Sequence, residues 1–188
     1  MKKVFLAFVF LALCSSAQGS PKNHATPQKP ATQPESSDPL ALERWFVGDW
    51  TCTGTMHSSQ TTSGVRFTDR FDFRMALGGS WQMYSLHQVE GPHKGQLTLI
   101  GAITWDANAG LHVRRDMNIG GSRMDMTTPG WDGNTMLFTG YMVNNYQKLS
   151  AKQSVLKKGH NRYDSSLEMA GPDGKLLDWE EEACRRIR

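Results

Sequence analysis

Residues 65–75 read Val-Arg-Phe-Thr-Asp-Arg-Phe-Asp-Phe-Arg-Met. Odd positions carry Val65, Phe67, Asp69, Phe71, Phe73 and Met75, and even positions are charged or polar throughout. A period of two is the signature of a strand with one buried face. Asp69 intrudes on the apolar side. Leu111, Val113, Arg115, Met117 and Ile119 repeat the alternation, with Arg115 as the intruder. Similar stretches place further strands at about 50–57, 80–89, 96–105, 122–127, 134–143, 147–157, 161–169 and 175–187. Glycine- and proline-rich turns such as Gly78-Gly79, Gly120-Gly121 and Pro172-Asp173-Gly174 separate them. Only residues 40–47 read as helix, with Asp38 and Pro39 at its start and Leu40, Leu42, Trp45 and Phe46 on one side.

Ten short strands with hairpin-length connections predict an all-β, antiparallel up-and-down β-barrel of eight to ten strands, preceded by a short helix. Closure removes the two edges that an open meander would expose. A barrel of this size can hold one small ligand. A two-sheet sandwich is the alternative.

Met1-Lys2-Lys3 and the apolar run 4–13 have the form of a secretory signal, with small residues ending at Ala17. The run is too short to span a bilayer, which takes roughly 20 residues. Cleavage after Ala17 would take the formal charge from +3 to +1. Neither charge calls for a nucleic-acid partner. A periplasmic or secreted location follows, with lipidation at Cys14 in Leu11-Ala12-Leu13-Cys14 as the alternative. Residues 18–39 hold five of the eight prolines and no Val, Ile, Leu or aromatic residue. Such a segment cannot offset its ordering entropy, so it reads as a linker. The folded domain is expected over 40–188.

The segment Gly48-Asp49-Trp50-Thr51-Cys52-Thr53-Gly54 resembles the Gly-x-Trp opening of calycin-type barrels, whose Trp plugs the barrel floor. With Leu77-Gly78-Gly79-Ser80-Trp81 it is similar to the bacterial family of unknown function DUF1579. The resemblance implies a calycin-like barrel and no chemistry. A more distant likeness to nitrobindin-like haem barrels implies a late-strand histidine ligand. After residue 112 the sequence offers only His160, in a polar turn, and no cofactor is expected.

Cys52 and Cys184 remain after export and are expected to form a disulfide, since the first and last strands of a closed barrel are neighbours. Their parities conflict. Cys52 goes with the inward Trp50, whereas Cys184 goes with Glu180 and Glu182, expected outside. A bulge would reconcile them.

The candidate cavity residues are Arg115, Asp69, His87, Trp81, Met83, Met117, Met124, Met126 and Tyr141. An inward Arg115 would receive an anionic head group through its planar fork, as the inward arginines of fatty-acid-binding calycins do. An Asp69–Arg115 ion pair without a ligand, or an outward Arg115, is the plainer account. Methionines suit an irregular apolar guest, and equally suit a filled core. No His-x-x-x-His, Cys-x-x-Cys or Gly-x-Ser-x-Gly motif occurs. The function read from sequence is a non-enzymatic binder of a small apolar or amphipathic molecule. The alternatives are an envelope-interaction module with a filled barrel, or a small isomerase- or cyclase-type enzyme using His87, Asp69 and Arg115.

Overall fold

In the computed structural model, residues 38–61, 63–144 and 147–187 are described. The expected signal segment, Cys14 and nearly all of the expected linker lie outside them. Asp38 starts the first element: its carboxylate accepts the Leu40 amide at 3.0 Å and pairs with Arg44 Nε at 2.9 Å. Helix α1 spans Ala41–Phe46. Gly48, at φ 125°, makes the sharp exit that a side chain would oppose.

The strands fall close to the predicted positions. They are β1 (Gly48–Ser58), β2 (Val65–Ala76), β3 (Trp81–Glu90), β4 (Leu97–Asp106), β5 (Leu111–Asn118) and β6 (Arg123–Thr128). After these come β7 (Trp131–Asp132), β8 (Thr135–Asn144), β9 (Gln147–Lys157), β10 (Arg162–Ala170) and β11 (Leu176–Arg186). Neighbours pair in chain order, β1 pairs with β11, and β6 pairs with β8. The sheet therefore closes into a ten-stranded antiparallel barrel. The two-residue β7 pairs only with the start of β8. Among the described residues no helix is long and apolar enough to cross a membrane.

Helix α1 seals one end. Leu42, Phe46 and Trp50 are buried. Trp50 Nε1 donates to the Phe46 carbonyl at 2.7 Å, so the strand's Trp holds the helix's last turn. Trp45 packs edge-on against Trp131 at 5.4 Å, and Phe46 lies 5.6 Å from Phe73. The seal also buries polar groups. Gln82 Nε2 donates to the Glu43 carbonyl, and the Glu43 carboxylate meets His112 Nδ1 at 2.7 Å.

Cys52 and Cys184 are directly opposed on β1 and β11 and form a disulfide. No bulge is needed. The β1–β11 register runs unbroken from Trp50↔Arg186 to Ser58↔Asp178, so Cys184, Glu182 and Glu180 all face inward with Cys52. The outward reading of the two glutamates is corrected by the pairing of the cysteines. Joining residues 132 apart in sequence stabilises the fold by about 4–5 kcal/mol on the chain-entropy view.

Candidate functional site

The inward faces of β2, β3, β5, β9, β10 and β11 meet in the barrel's middle. A small cavity there is lined by Phe71, Phe73, Tyr84, Phe138 and Tyr163 with the polar Arg114, Gln153 and Glu182. The volume open to water-sized centres is 40 Å3. A water needs roughly 10–15 Å3 on this measure, whereas a cavity that takes benzene is about 150 Å3. Among the described residues this part of the interior is therefore mostly filled by side chains, with less room than a barrel that holds a small ligand needs.

Two sets of charged groups occupy this interior. The first is a closed network. Arg114 Nη2 pairs with Asp116 Oδ2 at 2.6 Å, and Arg114 Nε donates to the Tyr84 hydroxyl at 2.7 Å. Tyr84 donates to Asp116 Oδ1, and Arg114 Nη1 donates to Gln153 Oε1. Gln153 Nε2 donates in turn to Ser165 Oγ at 2.9 Å. Burial works against the Arg114 cation, but Asp116 and Tyr84 more than offset it and push its pKa up. Burial likewise drives the Tyr84 phenol well above its usual range. Glycine at 101 makes the network fit: a Cβ there would collide with the Tyr84 ring and Asp116 Oδ1.

The second set is Asp69, Glu180 and Glu182. Among the described residues none of the three has a salt bridge. Burial raises the Asp69 pKa from 3.8 to about 6, against the lowering effect of a hydrogen bond from Gln88. Burial and the nearby Asp69 raise Glu180 from 4.5 to about 7. Burial, then Glu180 and Asp69, lift Glu182 well above the carboxylate range. These side chains are protonated or poised to protonate near neutral pH, so they can donate hydrogen bonds or take up a cation's charge. Cys52, Cys184 and Glu182 bring donor atoms within 4.8 Å of one another, but both sulfurs are spent in the disulfide.

Among the described residues no helix covers the end opposite α1. Leu86, Leu99, Met142 and Leu167 are partly buried there, packed against the core. Glu180 lies opposite Leu167, and Asp69 lies opposite Gln88, one inward position beyond Leu86 on β3.

The sequence candidates divide between the two faces. Asp69, Met124 and Met126 are inside and buried. Arg115 is outside, 73% exposed, with Nε 3.3 Å from Asp125. Met117 and Met83 are exposed on the same outer wall, and Trp81 is half-buried on the outward parity of β3. His87 is exposed and lines a shallow outer groove with Arg70, Asp72 and Lys94. Tyr141 faces outward beneath Lys148, whose Nζ lies 3.8 Å from the ring centroid. Asp69, His87 and Arg115 therefore do not assemble. His160 lies exposed in the β9–β10 turn.

The cause of these corrections is local. β5 turns His112, Arg114 and Asp116 inward, because each finds a partner inside, and leaves its apolar residues outside. A hydrophobic-face rule then selects the wrong side. The missed residues Glu180 and Glu182 carried a readable signal: a disulfide with the inward Cys52 fixes the parity of all β11. Arg114, Asp116, Tyr84 and Gln153 carried none, since their pairing spans three distant strands.

No protein-family model and no curated protein matches the sequence. Solved structures do match the fold. Rv2717c from M. tuberculosis superposes with a TM-score of 0.62 at 12% identity, covering 80% of this chain and 98% of that one. The S-type phycobiliprotein lyase CPES from Guillardia theta gives 0.53 at 10% identity, covering 78% and 90%. At such identities the likeness shows the fold alone: a β-barrel of the calycin, lipocalin-like type.

Proposed function

We propose that this chain is an exported, non-enzymatic binder of a small apolar or amphipathic molecule, taken at the open end of its barrel. One observation carries the reading. Inward-facing Leu86, Leu99, Met142 and Leu167 stay only partly covered in the interior that also holds the inward carboxyls, with Leu167 opposite Glu180. Apolar side chains inside a barrel gain from full burial, and a guest seated between them would complete it. The disulfide favours an oxidising compartment, and the N-terminal sequence favours secretion or the periplasm. The two glycine-containing motifs support descent from a DUF1579-like ancestor.

A second reading has its own support. A 40 Å3 cavity fits a self-filled barrel that serves as an interaction module. Native mass spectrometry of the full chain, expressed with export intact, separates the two. A binder carries or accepts one added small-molecule mass and begins at Gln18. A barrel that never takes a guest overturns the binding reading, and a diacylated Cys14 overturns simple secretion.

A further inference from the structure

The barrel interior holds more carboxyls than it can neutralise. Asp116 is matched by Arg114. Asp69, Glu180 and Glu182 face the same space from β2 and β11, the two strands that flank β1. Asp69 is 7% exposed and is the sharpest case. Gln88 hydrogen-bonds its carboxyl, yet Oδ1 is buried with no hydrogen-bond partner. Leaving a buried acceptor without a donor is costly, a cost that a ligand donor would remove.

The surroundings define what that donor is. An anionic head group is disfavoured, because it would face three carboxyls. The one buried guanidinium among the described residues already spends its fork on Asp116, Tyr84 and Gln153. A cation is favoured twice, by the acids and by aromatic rings. The interior already holds one cation in this way: Arg114 lies 5.5 Å from the Tyr84 centroid and 5.6 Å from that of Phe138. Next to the acids, Gly54 sits opposite both Phe67 and Glu182. A Cβ at this position would strike the Glu181 carbonyl oxygen and the Phe67 ring, so the missing side chain lets that ring pack over β1 beside Glu182. The partly buried Leu167 lies opposite Glu180, and Leu86, with Leu99 opposite it, precedes Gln88 by two residues on β3.

We infer that the guest is a cationic amphiphile, an alkylammonium whose head group sits among Asp69, Glu180 and Glu182 and whose apolar part rests on Leu86, Leu99 and Leu167. The inference rests on the binding reading above and names its ligand class. Ammonium donors satisfy the Asp69 oxygen, and aromatic faces add cation–π attraction. The other groups facing the acids are Gln88 on β3, Arg114 and Asp116 on β5, and Tyr163 and Ser165 on β10. Of these, only Arg114 is cationic. Binding a cation favours ionised carboxylates, so the ligand expels protons and affinity rises with pH.

The test is calorimetric titration of the full chain with octylammonium chloride, sodium octanoate and 1-octanol, each below its aggregation concentration. At pH 8 octylammonium is expected to bind at least about tenfold more tightly than the other two. Its affinity should fall about fivefold or more at pH 5, where Asp69 and Glu180 are protonated. Asp69→Asn and Glu180→Gln should each weaken octylammonium binding at pH 8 while the melting temperature holds or rises. That combination separates loss of a contact from loss of fold. If octanoate or octanol binds as well as octylammonium, or both variants bind it unchanged, the cationic assignment falls and the binding reading stands. If none of the three binds, both fall.

Discussion

Arg114 with Asp116 and the trio Asp69, Glu180 and Glu182 lie in one barrel, at comparable depth, and the fold treats them differently. Around Arg114 every charged or hydroxyl group meets a partner, through Tyr84, Gln153 and Ser165. Around Asp69 a buried oxygen meets none. The first arrangement accounts for itself, because a buried ion pair with its remaining hydrogen bonds made is a stable unit of architecture. The second is unexplained by folding alone. Buried charge is thus a poor marker of function in this barrel, and unmatched buried charge is the informative one.

The largest effect should come from opening the satisfied network. Arg114→Met leaves Asp116 buried and unpaired, and chemical denaturation should show a loss of about 3–5 kcal/mol. Adding Asp116→Leu should return much of it, since two apolar groups no longer strand a charge. A double variant as unstable as the single one would mean that the network does more than neutralise itself.

Gly101→Ala tests the same network without touching a charge. The added methyl has no space beside Tyr84 and Asp116. Overpacking of this kind costs about 1–3 kcal/mol. A neutral result would show that the Tyr84–Asp116 contact can shift without penalty.

The unmatched trio should answer with the opposite sign. Asp69, at about 6, and Glu180, at about 7, hold protons more tightly folded than unfolded. Their penalty is absent where both states are protonated, grows as pH rises from the ordinary values of 3.8 and 4.5, and is complete once pH passes the folded values. These groups therefore make the ligand-free protein less stable at pH 8 than at pH 5. Asp69→Asn should raise stability by about 1–2 kcal/mol at pH 8 and by clearly less at pH 5. Thermal melts of both proteins at the two pH values measure this directly. A variant less stable at pH 8 would place Asp69 with the satisfied groups and end the contrast.

The same contrast explains what was legible in the sequence. On β1 and β2 the inward face is apolar apart from Asp69, so alternation gave the correct side for Trp50, Cys52, Phe67, Phe71 and Phe73. On β3 and β5 the inward face carries Gln82, Tyr84, Gln88, His112, Arg114 and Asp116, and alternation gave the wrong one. Strand positions survived this error because turn residues set them independently of facing. Side-chain roles did not, because a polar residue's partner lies on another strand and leaves no local trace.

Arg115 gives the smallest expected effect and the clearest test of that account. Its alternation with Leu111, Val113 and Met117 made it the inward anchor for an anionic head group. The structure gives that interior place to Arg114, one residue earlier, and leaves Arg115 with an exposed pair to Asp125. Exposed pairs contribute about 0–1 kcal/mol. Arg115→Ala should therefore change stability by less than about 0.5 kcal/mol, and should leave octylammonium and octanoate titrations as they are in the parent protein. A marked loss of octanoate binding would mean that β5 is occupied in the other register, one residue over. Every side chain on that strand would then exchange faces, and the assignment of matched and unmatched charge would exchange with them.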